Sequence, residues 1–525
     1  MTWDLHAPYK EESKKIVWHV APYLKGRGVD IGAGSFKVLP HVISVDNGHH
    51  DRAFGIHSKP DIYAEADDLG VFADQSMDFV YSSHTLEHVV DYKKTLQEWW
   101  RLVKVGGYLV LYLPHKEFYP NIGQEGANAD HKHDFYPEDI IHAMPAGWDL
   151  LEHDERNGGD EYSFLLVFKR LQGNKRHRSY LAPRPAKTAL VVRYGAFGDL
   201  MQSSSVWAGL KAQGYHVTLH TAAPGCTVIE HDPNIDKIVI FDKDQIPNAN
   251  LVDFWNYWRP RYDKFVNLSE TVEGTFLAMP GRTTHGWAPL VRHKRLNENY
   301  VQFQHEMAGL PHKPKIKFYA TPDELAWAAK TRKRLPSGAC IVWSLAGSSI
   351  HKTWAGLDAM LASVMVNYPS SSVVLVGGPE CVILEQGWEN EPRIVKTSGV
   401  WSMRQTLSFL TQADLVIGPE TGVLNAAACM EVPKIVFLSH STHENLTRDW
   451  VNVFPLSGMG TRCPGRGDDE APACHQLHYG WEHCKQDANS GTAQCQADIP
   501  EGLVWETIER ALHDDLRQLR LQHYA

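Results

Sequence analysis

Three times along this chain a series of short apolar segments restarts, each segment closed by a glycine-containing turn or followed by a helical stretch. The first series is RGVDIGAG, HVISVD, MDFVYSS, GGYLVLYLP and YSFLLVFKR, with the helical EWWRLVK between two of its members. The second is TALVVRYG, HVTLHTA, KIVIF and KFVNLS. The third is ACIVWSLAG, SSVVLVGG, RIVKTSG, ADLVIGPE and KIVFLS. Strands that alternate with helices predict parallel, doubly wound α/β sheets. The expected fold is therefore α/β with three successive Rossmann-like units. Between the first two series lies KRLQGNKRHRSYLAPRPAK, with seven Lys/Arg, no acid, and prolines at 183 and 185. Such a stretch cannot bury a core, and its prolines extend it. The expected organisation is a first unit over 1–168, a basic linker over 169–187, a second unit over 188–320 and a third over 321–525. The second and third join at FYATPDEL, which reads as a turn and a capped helix.

Composition narrows the class of protein. With 43% hydrophobic and 22% charged residues the chain has enough apolar surface for several cores, so it is not disordered. No run approaches the ~18 apolar residues of a membrane helix. The N-terminal Met1-Thr-Trp-Asp-Leu-His has no basic region followed by an apolar run, so a cytoplasmic location is expected. A net charge of −10 argues against a stable nucleic-acid partner. Cys226, Cys340, Cys381 and Cys429 are scattered among apolar or small neighbours and read as reduced buried thiols.

In the first unit, Val29-Asp30-Ile-Gly32-Ala-Gly34 closes a strand with a Gly-X-Gly turn that lets the backbone approach a ligand. Asp46 ends the next strand, where a carboxylate can accept both hydroxyls of a ribose. Asp46 comes only twelve positions after Gly34, and Pro40 interrupts the stretch between them. A dinucleotide site usually needs ~20 residues and a full helix N-terminus there. A ligand without phosphates suits the shorter turn better, and S-adenosylmethionine is one. Asp61-Ile-Tyr-Ala-Glu-Ala-Asp67-Asp68-Leu69, the segment Ser82-Ser-His84-Thr-Leu-Glu87-His88 and Val105-Gly-Gly-Tyr-Leu through Pro114 follow. With these the chain resembles class I S-adenosylmethionine-dependent methyltransferases over about 20–170. The resemblance implies that Gly32 and Gly34 flank the methionine part of the cofactor and that Asp30 is a further cofactor-binding residue. It implies that Asp46 holds the ribose, that Asp67 or Asp68 meets the adenine, and that His84 faces the methyl group. His84, His88, His115, His131 and His133 are candidates for a base that deprotonates an alcohol acceptor.

The second unit opens with Arg193-Tyr-Gly195-Ala-Phe-Gly198-Asp199, a strand entering a glycine loop and then a helix. Asp199 reads either as a helix cap or as a carboxylate facing a cleft, where it could deprotonate a sugar hydroxyl. The third unit carries Ser344 to Trp354, ending in Lys352-Thr-Trp354, and Gly418-Pro-Glu420-Thr421-Gly422-Val-Leu-Asn425-Ala-Ala-Ala. A lysine and a Thr-Gly pair opening a helix together suit a diphosphate. Over about 187–515 these motifs resemble glycosyltransferase family 9, the ADP-heptose:lipopolysaccharide heptosyltransferases. The resemblance implies a two-domain GT-B fold and metal-independent, inverting transfer from a nucleotide-activated sugar, with an ADP-sugar favoured. It implies that Asp199 is the general base and that Lys352, Glu420, Thr421, Gly422 and Asn425 bind the donor. Glu380, in VGGPE, would contact its nucleoside.

Cys463, Cys474, Cys484 and Cys495 are spaced by ten, nine and ten residues, wider than common zinc pairs. Reduced thiols, disulfides and a structural metal all stay open for them, and no metal site is expected elsewhere. The last helix, over 503–522, is amphipathic and reads as packing back on a domain, with a peripheral contact at the inner membrane face as the second reading. The expectation for the whole chain is a bifunctional transferase that methylates and glycosylates a surface glycan or glycolipid. Two alternatives stand beside it. One is modification of a nucleic-acid base. The other is a methyltransferase fold kept as a docking module, on the evidence of Phe36 and the short first helix.

Overall fold

The computed structural model describes residues 3–5, 11–49, 59–242, 245–270, 286–288, 291, 294–295, 298–347, 352–439, 441–458 and 486–512. The chain divides into two compact units. One comprises Met1–Ala186 with Phe241–Arg261, the other Lys187–Ile240 with Tyr262–Ala525.

The first unit is built on an eight-stranded sheet of order β3-β2-β1-β4-β5-β7-β6-β8. Its strands are β1 Gly28–Ile31, β2 Ile43–Asp46, β3 Ile62–Tyr63, β4 Met77–Ser83, β5 Val103–Pro114, β6 Trp148–Arg156, β7 Ser163–Arg170 and β8 Arg176–His177. β7 enters antiparallel between β5 and β6, while β1 to β5 run parallel. The central strands are buried on both faces, which is why β1, β4 and β5 read as nearly unbroken apolar runs. Helix α1 (Glu12–Val20) buries Ile16, Val17, Trp18 and Val20. Helix α2 (Tyr92–Leu102) starts at Asp91, whose carboxylate accepts the Lys94 N–H at 3.0 Å, and buries Leu96, Trp99, Trp100 and Leu102. Helix α3 spans Pro137–Ala143. Residues 32–42 make turns where a doubly wound unit ordinarily has its first helix.

Part of the basic stretch is ordered on this unit. Arg176 and His177 add β8 to the sheet edge, and Arg178 forms a two-pronged ion pair with Glu138 at 3.0 Å.

The second unit holds two sheets. The four-stranded one, β11-β10-β9-β12, comprises β9 Thr188–Val192, β10 His216–Ala222, β11 Lys237–Phe241 and β12 Lys264–Asn267. The six-stranded one, β15-β14-β13-β16-β17-β18, runs parallel throughout. Its strands are β13 Cys340–Ser344, β14 Ser372–Val376, β15 Ile394–Lys396, β16 Leu415–Pro419, β17 Lys434–Leu438 and β18 Val453–Ser457. That order is 3-2-1-4-5-6, the doubly wound arrangement whose ligands bind beyond the carboxyl ends of the strands. Helix α4 (Phe197–Ala212) follows β9, and the short helix α5 (Gly422–Ala427) follows β16. At the joint between the two sheets Thr321 caps the helix Pro322–Arg332, its hydroxyl accepting the Glu324 N–H at 3.3 Å.

Cys226, Cys340 and Cys381 are buried, and burial pushes the Cys340 thiol up to about 11. Cys463, Cys474 and Cys484 lie outside the described residues, as does the last helix beyond Leu512. Among the described residues no helix is long and apolar enough to cross a membrane.

Candidate active sites

At the carboxyl ends of β1, β2 and β4 the first unit opens into a cavity of about 680 Å³. Gly32, Gly34, Asp46, Asp67 and His84 all line it. Gly32 has φ +75°, and a Cβ there would lie 2.0 Å from the Thr85 hydroxyl, so only glycine serves. Gly34 also has positive φ, but a Cβ there would meet only the Glu11 carboxylate at 3.6 Å. The turn thus presents bare backbone to the cavity. Asp46 fixes that turn from beneath. Its two oxygens accept the Gly34 N–H at 3.0 Å and the Gly48 N–H at 2.7 Å. A glycine cradle with a strand-terminal carboxylate beside it suits S-adenosylmethionine. Asp67 borders both this cavity and a second hollow formed with Asp68, Lys94, Glu98 and Arg101, whereas Asp68 borders only the latter.

Asp30 does not line the cavity. It is buried in β1, with the Val38 N–H donating to its carboxyl at 2.8 Å. Burial raises its pKa from the ordinary 3.8 to about 7. Between those values the folded chain keeps the proton and the unfolded chain does not, so stability falls as pH rises through this window. The deficit is complete above about 7 and is on the order of 4 kcal/mol at 1.36 kcal/mol per unit. Asn keeps an oxygen for the Val38 N–H and carries no charge. The melting-temperature advantage of Asp30→Asn over the parent chain should therefore widen between pH 5 and pH 8. A constant offset across that range refutes the assignment.

The structure sorts the five candidate histidines. His131 is buried, His84 and His88 are half-buried, and all three line the cavity. His115 instead stacks on Phe118, and His133 bonds the Val89 and Val90 carbonyls. His84 has φ +48°, and its Nε2 lies 2.9 Å from the Ser163 hydroxyl. Burial lowers its pKa to about 3, so the ring is neutral at physiological pH. The residue that sequence reasoning passed over is Glu87. It lies in the single turn Leu86–His88, is fully buried, and is pushed by burial to about 8. The spacing His84-x-x-Glu87-His88 was the available signal, because three residues make about one turn.

In the second unit Asp199 occupies the first turn of α4. One of its oxygens accepts the Ala196 N–H at 2.9 Å, and the other lies 3.1 Å from the guanidinium of Arg193, which is fully buried. The side chain is 29% exposed, so it caps the helix and still meets solvent. The starts of α4 and α5 touch. A Cβ on Gly422 would lie 3.2 Å from the Gly198 nitrogen, and Asn425 accepts a bond from Gln202 at 3.2 Å. Lys352 donates to the Glu420 carbonyl at 3.2 Å, two residues before Gly422. Thr421 caps α5. Asp199, Lys352, Thr421, Gly422 and Asn425 therefore gather in one neighbourhood. The Glu420 carboxylate turns away from it, to the main-chain N–H groups of Ser439 and Ser441 and the Ser439 hydroxyl. Glu380 is exposed and folds back over Gly378.

Residues 30–111 match the family model described as a methyltransferase domain. No curated protein matches the chain. Among solved structures, a family 9 glycosyl transferase from Veillonella parvula is 15% identical, covers 62% of this chain and 97% of its own, and has a TM-score of 0.45. The E. coli ADP-heptose lipopolysaccharide heptosyltransferase II is 15% identical over 64% of this chain and all of its own, with a TM-score of 0.44. An S-adenosylmethionine-dependent methyltransferase from Archaeoglobus fulgidus is 17% identical over 30% of this chain and 95% of its own, with a TM-score of 0.23. The chain is an α/β transferase with a methyltransferase domain in its N-terminal unit.

Proposed function

We propose that this chain is a bifunctional transferase, methylating from S-adenosylmethionine in its first unit and transferring a sugar from a nucleotide donor in its second. One observation supports the reading: Gly32, Gly34, Asp46, Asp67 and His84 line one cavity, and Asp199, Lys352, Thr421, Gly422 and Asn425 share one neighbourhood, each beyond the carboxyl ends of parallel strands. In the first unit Gly32 and Gly34 would accept the methionine part of the cofactor, Asp46 its ribose and Asp67 its adenine. The bound cofactor supplies an electrophilic methyl group. The work of the chain is alignment, with His84 beside the acceptor. In the second unit Asp199 would take the proton of the acceptor hydroxyl. Lys352 and the amides at Thr421 and Gly422 would hold the departing diphosphate. The acceptor class we favour is a surface glycan or glycolipid, met in the cytoplasm or at the inner membrane face, and the donor an ADP-sugar.

A thermal-shift screen of S-adenosylmethionine and of ADP-, UDP-, GDP- and CMP-sugars tests this. A ligand at about 100 times its Kd should add about 2.7 kcal/mol of stability. The shift from S-adenosylmethionine should vanish in Asp46→Ala and persist in Asp68→Ala. No shift at millimolar cofactor in the parent chain would leave the first unit a docking module.

A further inference from the structure

We propose that Glu87, His88 and His131 form a binding site for a divalent transition-metal ion in the wall of the N-terminal cavity. One imidazole nitrogen from each histidine and one carboxylate oxygen lie within 4.8 Å of one another. Glu87 Oε1 is 3.9 Å from His88 Nε2 and 3.9 Å from His131 Nε2. Two donors on a tetrahedral ion, each at about 2.1 Å, stand about 3.4 Å apart, so closing this set on an ion takes only small side-chain shifts.

The carboxyl group gives the second reason. The Glu87 side chain is fully buried, and neither of its oxygens has a hydrogen-bond partner among the described residues. A buried polar group without a bond costs on the order of 1–3 kcal/mol, and more when charged. A folded chain keeps such a group where something else satisfies it. Three imidazoles, of His84, His88 and His131, stand within 3.7–3.9 Å of Glu87 Oε1, His84 through its Nδ1. Two imidazoles and a carboxylate are a borderline-soft set suited to Zn²⁺, Co²⁺ or Mn²⁺ and ill suited to Ca²⁺.

The backbone assembles these donors without needing the ion. The main-chain carbonyl of Glu87 accepts the N–H of Lys132 at 2.7 Å and of His133 at 3.2 Å, which ties the loop bearing His131 to the turn bearing Glu87 and His88. The His131 ring then packs edge-on against His88 and lies beside Tyr119. Three protein donors leave a four-coordinate ion one open position. All three residues line the cavity, so that position is available to a hydroxyl or carboxylate oxygen of the methyl acceptor. The ion's presence is independent of the methyl-transfer reading; its service to the acceptor rests on that reading.

Metal content of the full chain, purified without chelator, tests the site directly. About one zinc, cobalt or manganese ion per chain is expected. Cobalt added back after stripping should give the intense visible bands of a low-coordinate ion. Glu87→Gln and His131→Ala should each weaken cobalt binding by at least about 100-fold, since changes to outer-shell partners alone cost about 10–100-fold. His133→Ala should bind as the parent does, and circular dichroism establishes that each variant is folded. A chain that retains no ion and gives the same weak spectrum as Glu87→Gln overturns the proposal, leaving the cluster a set of groups sharing a proton. Calorimetry with S-adenosylmethionine, run on the stripped chain, reports on the methyl-transfer reading separately.

Discussion

Asp199→Asn is expected to remove sugar transfer while leaving the nucleotide sugar bound. The substitution keeps the shape of the side chain, so its oxygen can still accept the Ala196 N–H and hold the first turn of α4. What it loses is the capacity to take a proton. A positioned general base is worth about 10²–10⁴-fold in rate, and kcat should fall by that factor. The donor is held by other groups in the proposal, so its thermal shift and its KM should change little. Arg193 loses a charged partner in a buried place, and a lower melting temperature is expected from that alone. Stability and turnover are therefore measured on the same preparation, with turnover read well below the melting temperature. Lys352→Ala should show the opposite pattern, raising the donor KM more than it lowers kcat. If Asp199→Asn turns over within tenfold of the parent chain, Asp199 is a helix cap and nothing more.

Both readings of Asp199 were open in the sequence, and the structure explains why the residue could not be assigned to one. A carboxylate at the third position of a helix caps it whatever else it does. The fold was more legible than the sites. Every apolar run picked out in the sequence forms a strand, from Gly28–Ile31 to Lys434–Leu438. Strands buried on both faces, such as β9, β13, β14, β16 and β17, leave the plainest pattern. The partly buried β11, β12 and β15 still read as short apolar runs. The strands that escaped lack such a run. β6 (WDLLEHDER) carries five charged residues and a histidine on a sheet flank that is only partly buried. β3 and β8 are two residues long. At the sites, local motifs carried the glycines and Asp46, since turn geometry and strand ends are written locally. Asp30 belongs to the same motif, yet its side chain points to Val38 and away from the cavity, an orientation that alternation along a four-residue strand does not reveal. The pairing of His131 with Glu87 is a long-range fact of loop docking, and no spacing announces it.

A chain cut after Ala186, within the basic stretch read from the sequence as a linker over 169–187, is expected not to fold to the native first unit. Residues 241–261 belong to that unit although the chain has by then passed through three strands of the second. The helix Leu251–Trp258 supplies Leu251, Phe254 and Trp255, all buried, with Phe254 packed edge-on against Trp18 of α1. Polar contacts fix the same segment. Trp258 donates to the Trp18 carbonyl at 3.1 Å, the Tyr257 hydroxyl meets His19 at 2.9 Å, and Gln245 donates to the Ala21 carbonyl at 2.5 Å. Burying three large apolar side chains is worth about 5–9 kcal/mol at 1.5–3 kcal/mol each, which rivals the 5–15 kcal/mol that holds a typical domain together. Fragment 1–186 should therefore aggregate or lose its near-ultraviolet dichroism. The same fragment joined to 241–261 by a flexible glycine–serine linker should regain a cooperative melt. A cooperative melt of 1–186 alone, within a few degrees of the linked form, refutes the dependence. The practical consequence is that the two proposed activities are better separated by Asp46→Ala and Asp199→Asn in the full chain than by cutting it, because a silent fragment would report a missing helix and say nothing about coupled chemistry.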